Sequence, residues 1–329
     1  MAPALATYAP RDPSRTVLYQ VIADHLETFL ASLDDDPEAT GLPAYVQREF
    51  YDYLRCGILA HGFLRRGCDT CPKELLLPFS CKRRGFCPSC AARRMAQTAA
   101  HLVECVLPWV PTRQWVVSVP VPLRDWMAAS QDLTATVHTI IRTTIGQYYV
   151  NKAVTRGFER ANVQPGSVTF LQRLGSALNL NLHFHCVFLE GVYLDRTEAS
   201  RKPRFITVEP PSDADVADVI QKISHRVIRK LRCLGYLEAG GDAAVATGYD
   251  PLVEDEPALA RTLAASVTQR IACGERMGQK VRRIGAGFGS EGEAPMLTGP
   301  HCARVQGFSV HAHTQVPAHR RDELERLIR

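Results

Sequence analysis

The feature that most constrains this chain is a pair of CxxC knuckles, Cys68-x2-Cys71 and Cys87-x2-Cys90, fifteen residues apart and with Cys81 between them. Four thiols delivered as two such pairs suit a tetrahedral zinc ion, and Pro72 and Pro88 favour the tight turns a knuckle needs. A redox CxxC needs one pair only, set in a βαβ pattern that is lacking here. The expectation is one structural Zn2+ on Cys68, Cys71, Cys87 and Cys90. With all four positions filled by protein, such an ion holds the fold and does no chemistry. Cys56, His61, Cys81 and His101 are spare donors for a second site or as alternative ligands. Six of the eleven cysteines lie between Cys56 and Cys90, and no apolar leader opens the sequence, so metal binding is favoured over disulfides. Cys105, Cys186, Cys233, Cys273 and Cys302 are scattered and read as buried thiols.

The same stretch carries the charge. Between Arg65 and Arg94 stand eight basic residues against two acidic ones, a local excess of six in a chain whose net charge is +5. A basic patch confined to one small module is the electrostatic footprint of a nucleic-acid contact, with a solvated charged face as the alternative. Lys82, Arg83, Arg84, Arg93 and Arg94 are the candidate phosphate contacts, joined by Arg282 and Arg283 from a Gly-rich basic stretch over 274–294 that reads as a surface loop. No apolar run reaches the ~18 residues of a membrane span, so the expected location is the cytoplasm, in association with the nucleoid.

Periodicity divides the chain into 1–108, helical and zinc-binding with its knuckles over 56–101, and 109–329, a larger domain. Apolar residues at helical spacing predict a helix over 16–33, and Pro43 opens another running to about Leu54. A third helix follows Cys90 and stops before Pro108. From Arg113 the pattern turns to strand (RQWVVSVPVP), then to a long helix over 132–156, strands over 168–174 and 205–208, a second long helix over 213–234, a final strand over 306–316 and a closing helix. This order implies an α+β fold, an antiparallel sheet with helices packed on it.

Within that sheet, NLNLHFHCVFLEGVY (Asn179 to Tyr193) places His183 and His185 two apart in a strand. Strand side chains alternate faces, so both imidazoles point one way, able to share a divalent cation, while Phe184 points to the other face. Gln172, on the preceding strand and joined to the histidine strand through the Gly175-Ser176 turn, falls near them and is the candidate third ligand. The choice between Mg2+ and Mn2+ stays open, imidazole leaning towards manganese. His311 and His313 repeat the His-x-His spacing and read as support for the sheet or as a phosphate contact.

A basic cysteine module followed by an α+β domain with His-hydrophobic-His on a central strand resembles the rolling-circle transposases of the insertion-sequence ninety-one group. These join a transposase zinc-binding domain to an HUH nuclease domain. The resemblance runs from about Tyr45 to Arg329 and is carried by CGILAHGFLRRGCDTC, FSCKRRGFCPSCAARRMAQTAAHL, RQWVVSVPVPLR, LQRLGSALNLNLHFHCVFLEGVY, and GFSVHA followed by LERLIR. It implies cleavage and rejoining of single-stranded DNA at insertion-sequence ends. A tyrosine attacks the phosphate, and His183 and His185 hold the divalent ion. In the family the tyrosine follows the phrase matched here by LERLIR, which places it just after Arg329; on that reading the chain is truncated and does not cleave. Tyr148, Tyr149, Tyr193 and Tyr249 are poor substitutes by position. The competing expectation is a non-catalytic, zinc-dependent DNA-binding remnant that interferes with intact transposase. An HUH relaxase or replication initiator shares the chemistry but does not generally begin with such a cysteine module.

Overall fold

The computed structural model describes residues 12–34, 41–67, 70–71, 74–83, 85, 87–175, 179–195, 203–237, 251–273, 276–280, 287–290 and 292–329. They form two compact units, one of residues Met1–Glu104 with the short segments Glu256–Leu259 and Ile328–Arg329, the other of Cys105–Asp255 with Ala260–Leu327.

In the first unit, α1 (Val17–Asp34) and α2 (Ala44–Arg55) are amphipathic and meet through Phe29 edge-on to Phe50, ring centroids 6.5 Å apart, and Leu26, Leu30 and Leu33 of α1 are buried. Helix α2 ends where Cys56 turns extended and Gly57 takes φ +78°, a left-handed conformation that glycine adopts without a Cβ clash. The chain then forms a hairpin of β1 (Phe63–Gly67) and β2 (Glu74–Pro78). Its base is closed by Phe79, whose N–H donates to Gly62 O at 3.0 Å and whose carbonyl accepts from Gly57 N–H at 2.9 Å. Pro88 in the first turn opens α3 (Pro88–His101), which continues as a wider turn over Leu102–Val106.

The second unit is built on one antiparallel sheet. Its elements are β3 (Thr112–Ser118), α4 (Val121–Ala129), α5 (Gln131–Thr155), β4 (Val163–Leu174), β5 (Leu180–Leu194), β6 (Arg204–Thr207), α6 (Asp213–Cys233), α7 (Pro251–Asp255), α8 (Pro257–Thr268), β7 (Met296–Gly299), β8 (Cys302–Val305), β9 (Phe308–His311), β10 (Gln315–Val316) and α9 (Arg321–Ile328). Strand order is β4-β5-β3-β9-β8-β7, with β10 on β3 and β6 on β5. Helices α5 and α6 cover one face. Ile141, Ile145 and Tyr149 from α5 and Val216, Ile220, Ile223 and Val227 from α6 join Trp115, Val117, Phe184, Phe188, Phe308 and Val310 in a single apolar core. Trp115 and Tyr149 carry polar atoms into it and satisfy each other, Nε1–H donating to the tyrosine oxygen at 3.1 Å. The residues between these along β3 and β5, His183 and His185 among them, therefore face away from the helices.

Three segments differ from the expected pattern. The strand from Arg113 stops at Ser118, and Pro120–Pro122 begins α4, because a proline contributes no ladder hydrogen bond but suits the first helical turn. Val163–Leu174 is longer than the strand expected over 168–174 and absorbs a register shift between Pro165 and Ser167. The single strand expected over 306–316 is instead β9 and β10, and β9 pairs with the preceding β8 through a two-residue turn. Gln306 and Gly307 both have positive φ, 50° and 79°, the conformation of a tight hairpin turn whose twist matches its flanking strands.

Candidate functional site

The structure gathers four thiols in the first unit: Cys56, Cys81, Cys87 and Cys90. Sulfur separations are 3.7 Å for Cys56–Cys90, 3.5 Å for Cys81–Cys90 and 3.6 Å for Cys56–Cys87. Four Zn–S bonds of about 2.3 Å in a tetrahedron set sulfurs about 3.8 Å apart, so the cage fits a zinc ion with little adjustment. Cys56 and Cys87 are buried beside Tyr53, with Leu18, Tyr19 and Ile22 packed around them. Burial pushes the Cys56 thiol up to about 11 and Cys81 higher still. The four ligands come from three places: the end of α2, the segment after β2, and the first turn of α3.

Among the described residues, the cage shares two members with the expected set. Cys87 and Cys90 are in the cage, whereas Cys71 is an exposed free thiol beyond the far end of β1 and Cys68 lies outside the described residues. The physical reason is the hairpin. Strands β1 and β2 carry Cys71 to the end opposite the base that Gly57 and Phe79 close, and that base is where Cys56 and Cys81 meet. Neither His61 nor His101 is in the cage.

In the second unit the histidines lie side by side on β5, ring centroids 4.9 Å apart. Register places Ser118 and Gln172 opposite His183, and Val116 and Phe170 opposite His185. His183 Nδ1 lies 2.5 Å from the carbonyl of Asn181. A carbonyl only accepts, so that nitrogen carries the proton and Nε2 keeps its lone pair. His185 Nδ1 lies 3.1 Å from the Gln114 carboxamide, and its Nε2 is buried without a hydrogen-bond partner. Burial, and then the neighbouring His183, hold the His185 imidazole below its ordinary value, so it is neutral at pH 7. Two adjacent imidazoles, one with a buried nitrogen that has no hydrogen-bond partner among the described residues, form a donor set that fits a divalent cation. Gln172 is in register with His183, but its side chain is exposed and donates to Leu174 O at 3.0 Å.

Comparison with protein families supplies the context for both sites. Residues 21–119 match the family described as "Transposase zinc-binding domain", and residues 166–329 match the family described as "Putative transposase". The chain belongs to the insertion-sequence ninety-one transposases. No curated protein and no solved structure matches it. The zinc-binding description agrees with the four-cysteine cage, and no helix of the described residues is long and apolar enough to cross a membrane.

The remaining candidate residues of the transposase fall into distinct groups. Arg93 and Arg94 are exposed on α3, and Lys82 is exposed on the loop after Cys81, its carbonyl accepting from Arg94 at 3.4 Å. Arg83 is engaged: its guanidinium binds Asp52 at 2.6 Å and lies 3.7 Å from Glu49, so it ties the Cys81 loop to α2. Arg84, Arg282 and Arg283 lie outside the described residues. His311 sits on β9 opposite Val116 and contacts Cys302 Sγ through Nδ1 at 2.9 Å, whereas His313 lies beyond the strand against His301. Tyr148 and Tyr149 are buried in the helix-side core, where burial raises both hydroxyls. Tyr193 is on the histidine strand, but eight residues beyond His185 at about 3.3 Å per residue puts it about 26 Å away. Tyr249 is not among the described residues. Sequence reasoning placed Cys56 and Cys81 among the spare donors, outside its main zinc set, and did not single out Gln114. No sequence signal marked Gln114, which follows Thr112 and Arg113 in a strand that begins polar.

Proposed function

We propose that this transposase is of the HUH class and acts on single-stranded DNA at insertion-sequence ends. The observation that carries the reading is the pairing of His183 and His185 on the sheet face opposite α5 and α6, with the His183 Nδ1 proton fixed and a buried His185 nitrogen left without a partner among the described residues. The two imidazoles would hold Mg2+ or Mn2+, with Gln172 as third ligand after its amide turns from the Leu174 carbonyl. When bound, such an ion polarises a phosphate oxygen at the scissile position. The chain's own part is to hold the DNA and orient it. Lys82, Arg93 and Arg94 grip phosphates, Arg84, Arg282 and Arg283 act in the same way, and the zinc cage fixes the scaffold that presents the first three. Arg83 contributes less because its charge is already matched by Asp52 and Glu49.

None of the described tyrosines of the second unit stands beside the histidine pair, which favours a second reading: a DNA-binding protein without cleavage activity that competes with intact transposase. Two measurements separate the possibilities. Mn2+ binding, followed by electron paramagnetic resonance, should disappear in the His183→Ala/His185→Ala variant while zinc content stays constant; unchanged manganese binding would move the site elsewhere. Incubation with single-stranded element ends should give salt-sensitive binding and no covalent adduct, whereas a phosphotyrosine adduct would establish the cleaving enzyme.

A further inference from the structure

Among the described residues, Gln114 is the side chain hydrogen-bonded to His185 Nδ1, and it bonds from a fixed position. It is 8% exposed, sits on β3 opposite Val187, and its backbone N–H donates to Thr314 O at 2.9 Å. The two histidines are otherwise held differently. Asn181 offers His183 a main-chain carbonyl, which can only accept. Gln114 offers His185 a carboxamide whose nitrogen stands 3.1 Å from Nδ1, and a half-turn of the amide would present its oxygen there instead, the two ends being of nearly equal size. With the NH2 towards Nδ1, the imidazole proton must sit on Nε2, which is buried and finds no acceptor. An unsatisfied buried donor of this kind costs about 1–3 kcal/mol. With the oxygen towards Nδ1, the proton sits on Nδ1, the hydrogen bond is kept, and Nε2 becomes a lone pair beside that of His183.

We infer that Gln114 is a positioning residue that accepts a hydrogen bond from His185 Nδ1–H through its side-chain oxygen, so that both histidines present Nε2 to one divalent cation. It does for His185 what the Asn181 carbonyl does for His183. The inference rests on the metal-site reading above, yet its first consequence is measurable without metal in the second unit. A ligating imidazole whose other nitrogen loses its hydrogen-bond partner typically binds metal 10–100-fold more weakly.

The test uses the full, zinc-loaded chain. Nitrogen-15 NMR of the histidine side chains should show His185 with its proton on Nδ1 in the absence of manganese. Gln114→Glu offers only acceptor oxygens, so it should keep that tautomer and keep Mn2+ affinity within a few-fold of the parent. Gln114→Leu removes the acceptor and should weaken Mn2+ binding about 10-fold or more, with the thermal transition of the fold retained. Proton on Nε2 in the parent protein, loss of affinity in Gln114→Glu, or unchanged affinity in Gln114→Leu would each overturn the inference. If the parent bound no manganese, the metal-site reading would fall, and the tautomer measured in the same sample would still decide the role of Gln114.

Discussion

Cys81→Ser and Cys71→Ser differ by one sulfur-to-oxygen exchange each, and the structure predicts opposite consequences. Cys81 Sγ is 3.5 Å from Cys90 Sγ, and its backbone N–H lies 3.3 Å from Cys56 Sγ, so it supplies one wall of the cage and orders its neighbour. Cys71 is exposed at the other end of the hairpin. Structural zinc in small cysteine sites contributes about 10–16 kcal/mol of apparent binding free energy. If one of four ligands carries about a quarter of that, Cys81→Ser weakens zinc binding by roughly 2.5–4 kcal/mol. The cage is packed into a described cluster of Tyr53, Cys56 and Cys87 with partly buried Leu18, Tyr19 and Ile22 beside them, so losing the ion loosens that cluster directly. Cys71→Ser, an exposed exchange, should stay within about 0.5 kcal/mol of the parent. Zinc per chain by plasma mass spectrometry, together with thermal unfolding, reads both. The expected result is zinc loss and a lowered first transition for Cys81→Ser, with neither for Cys71→Ser. Zinc loss in Cys71→Ser with retention in Cys81→Ser would refute the cage and restore the paired-knuckle arrangement.

Further consequences concern the second unit. Arg113 and Glu190 form a buried ion pair at 2.6 Å, with Arg113 also donating to Ala312 O at 2.7 Å and Glu190 Oε2 lacking a partner. Arg113→Met strands the carboxylate and should cost about 3–5 kcal/mol in denaturant unfolding, whereas adding Glu190→Leu should recover most of the loss; a double variant no more stable than the single one would contradict this. His138 stacks on Phe184, and burial, then Arg142, hold its imidazole below the ordinary value. Above pH of about 6.5 both folded and unfolded forms are neutral and the group contributes nothing to pH dependence. Below that the unfolded chain binds the proton more readily, so stability falls as pH falls towards the lowered folded value. His138→Phe should flatten part of this decline below about pH 6.5, and an unchanged slope of melting temperature against pH would count against it. Replacing Lys82, Arg93 and Arg94 together by Ala should reduce the salt dependence of single-strand binding by about two in log–log slope; an unaltered slope would place the phosphate contacts elsewhere.

What could be read from the sequence follows the range over which each signal acts. Strand alternation is local, so His183 and His185 facing one way, with Phe184 buried on the other, was legible, as was the β4–β5 pairing that sets Gln172 opposite His183. Helical periodicity gave α1, α5 and α6 to within a few residues. Zinc ligation was half legible. A CxxC spacing reports a local turn but not which distant thiols share its ion, and Cys56 meets Cys81 only because a hairpin returns the chain to its starting point. The β8–β9 hairpin was hidden because Gln306-Gly307 interrupts an apolar run by just two residues, and positive φ at a glutamine has no strong compositional sign. Gln114 was illegible for a related reason: its contact depends on the β3–β5 register, fixed by residues about seventy positions apart.

That register also sets an order of events for the growing chain. Strands β4 and β5 are joined by a short connection and can pair as soon as both exist, presenting the two imidazoles on a hairpin. Strand β3 is made earlier but has no sheet neighbour until β5 appears. It gains its other neighbour, β9, only when Val116 meets His311, across nearly the whole second unit. Contacts so far apart in sequence form slowly because the loop between them must first be closed. The histidine pair thus forms early and is finished late. An intermediate with β4 and β5 paired but β3 undocked would display both rings without the glutamine that orients one of them, and the capacity to hold a cation tightly would arrive with the completed sheet.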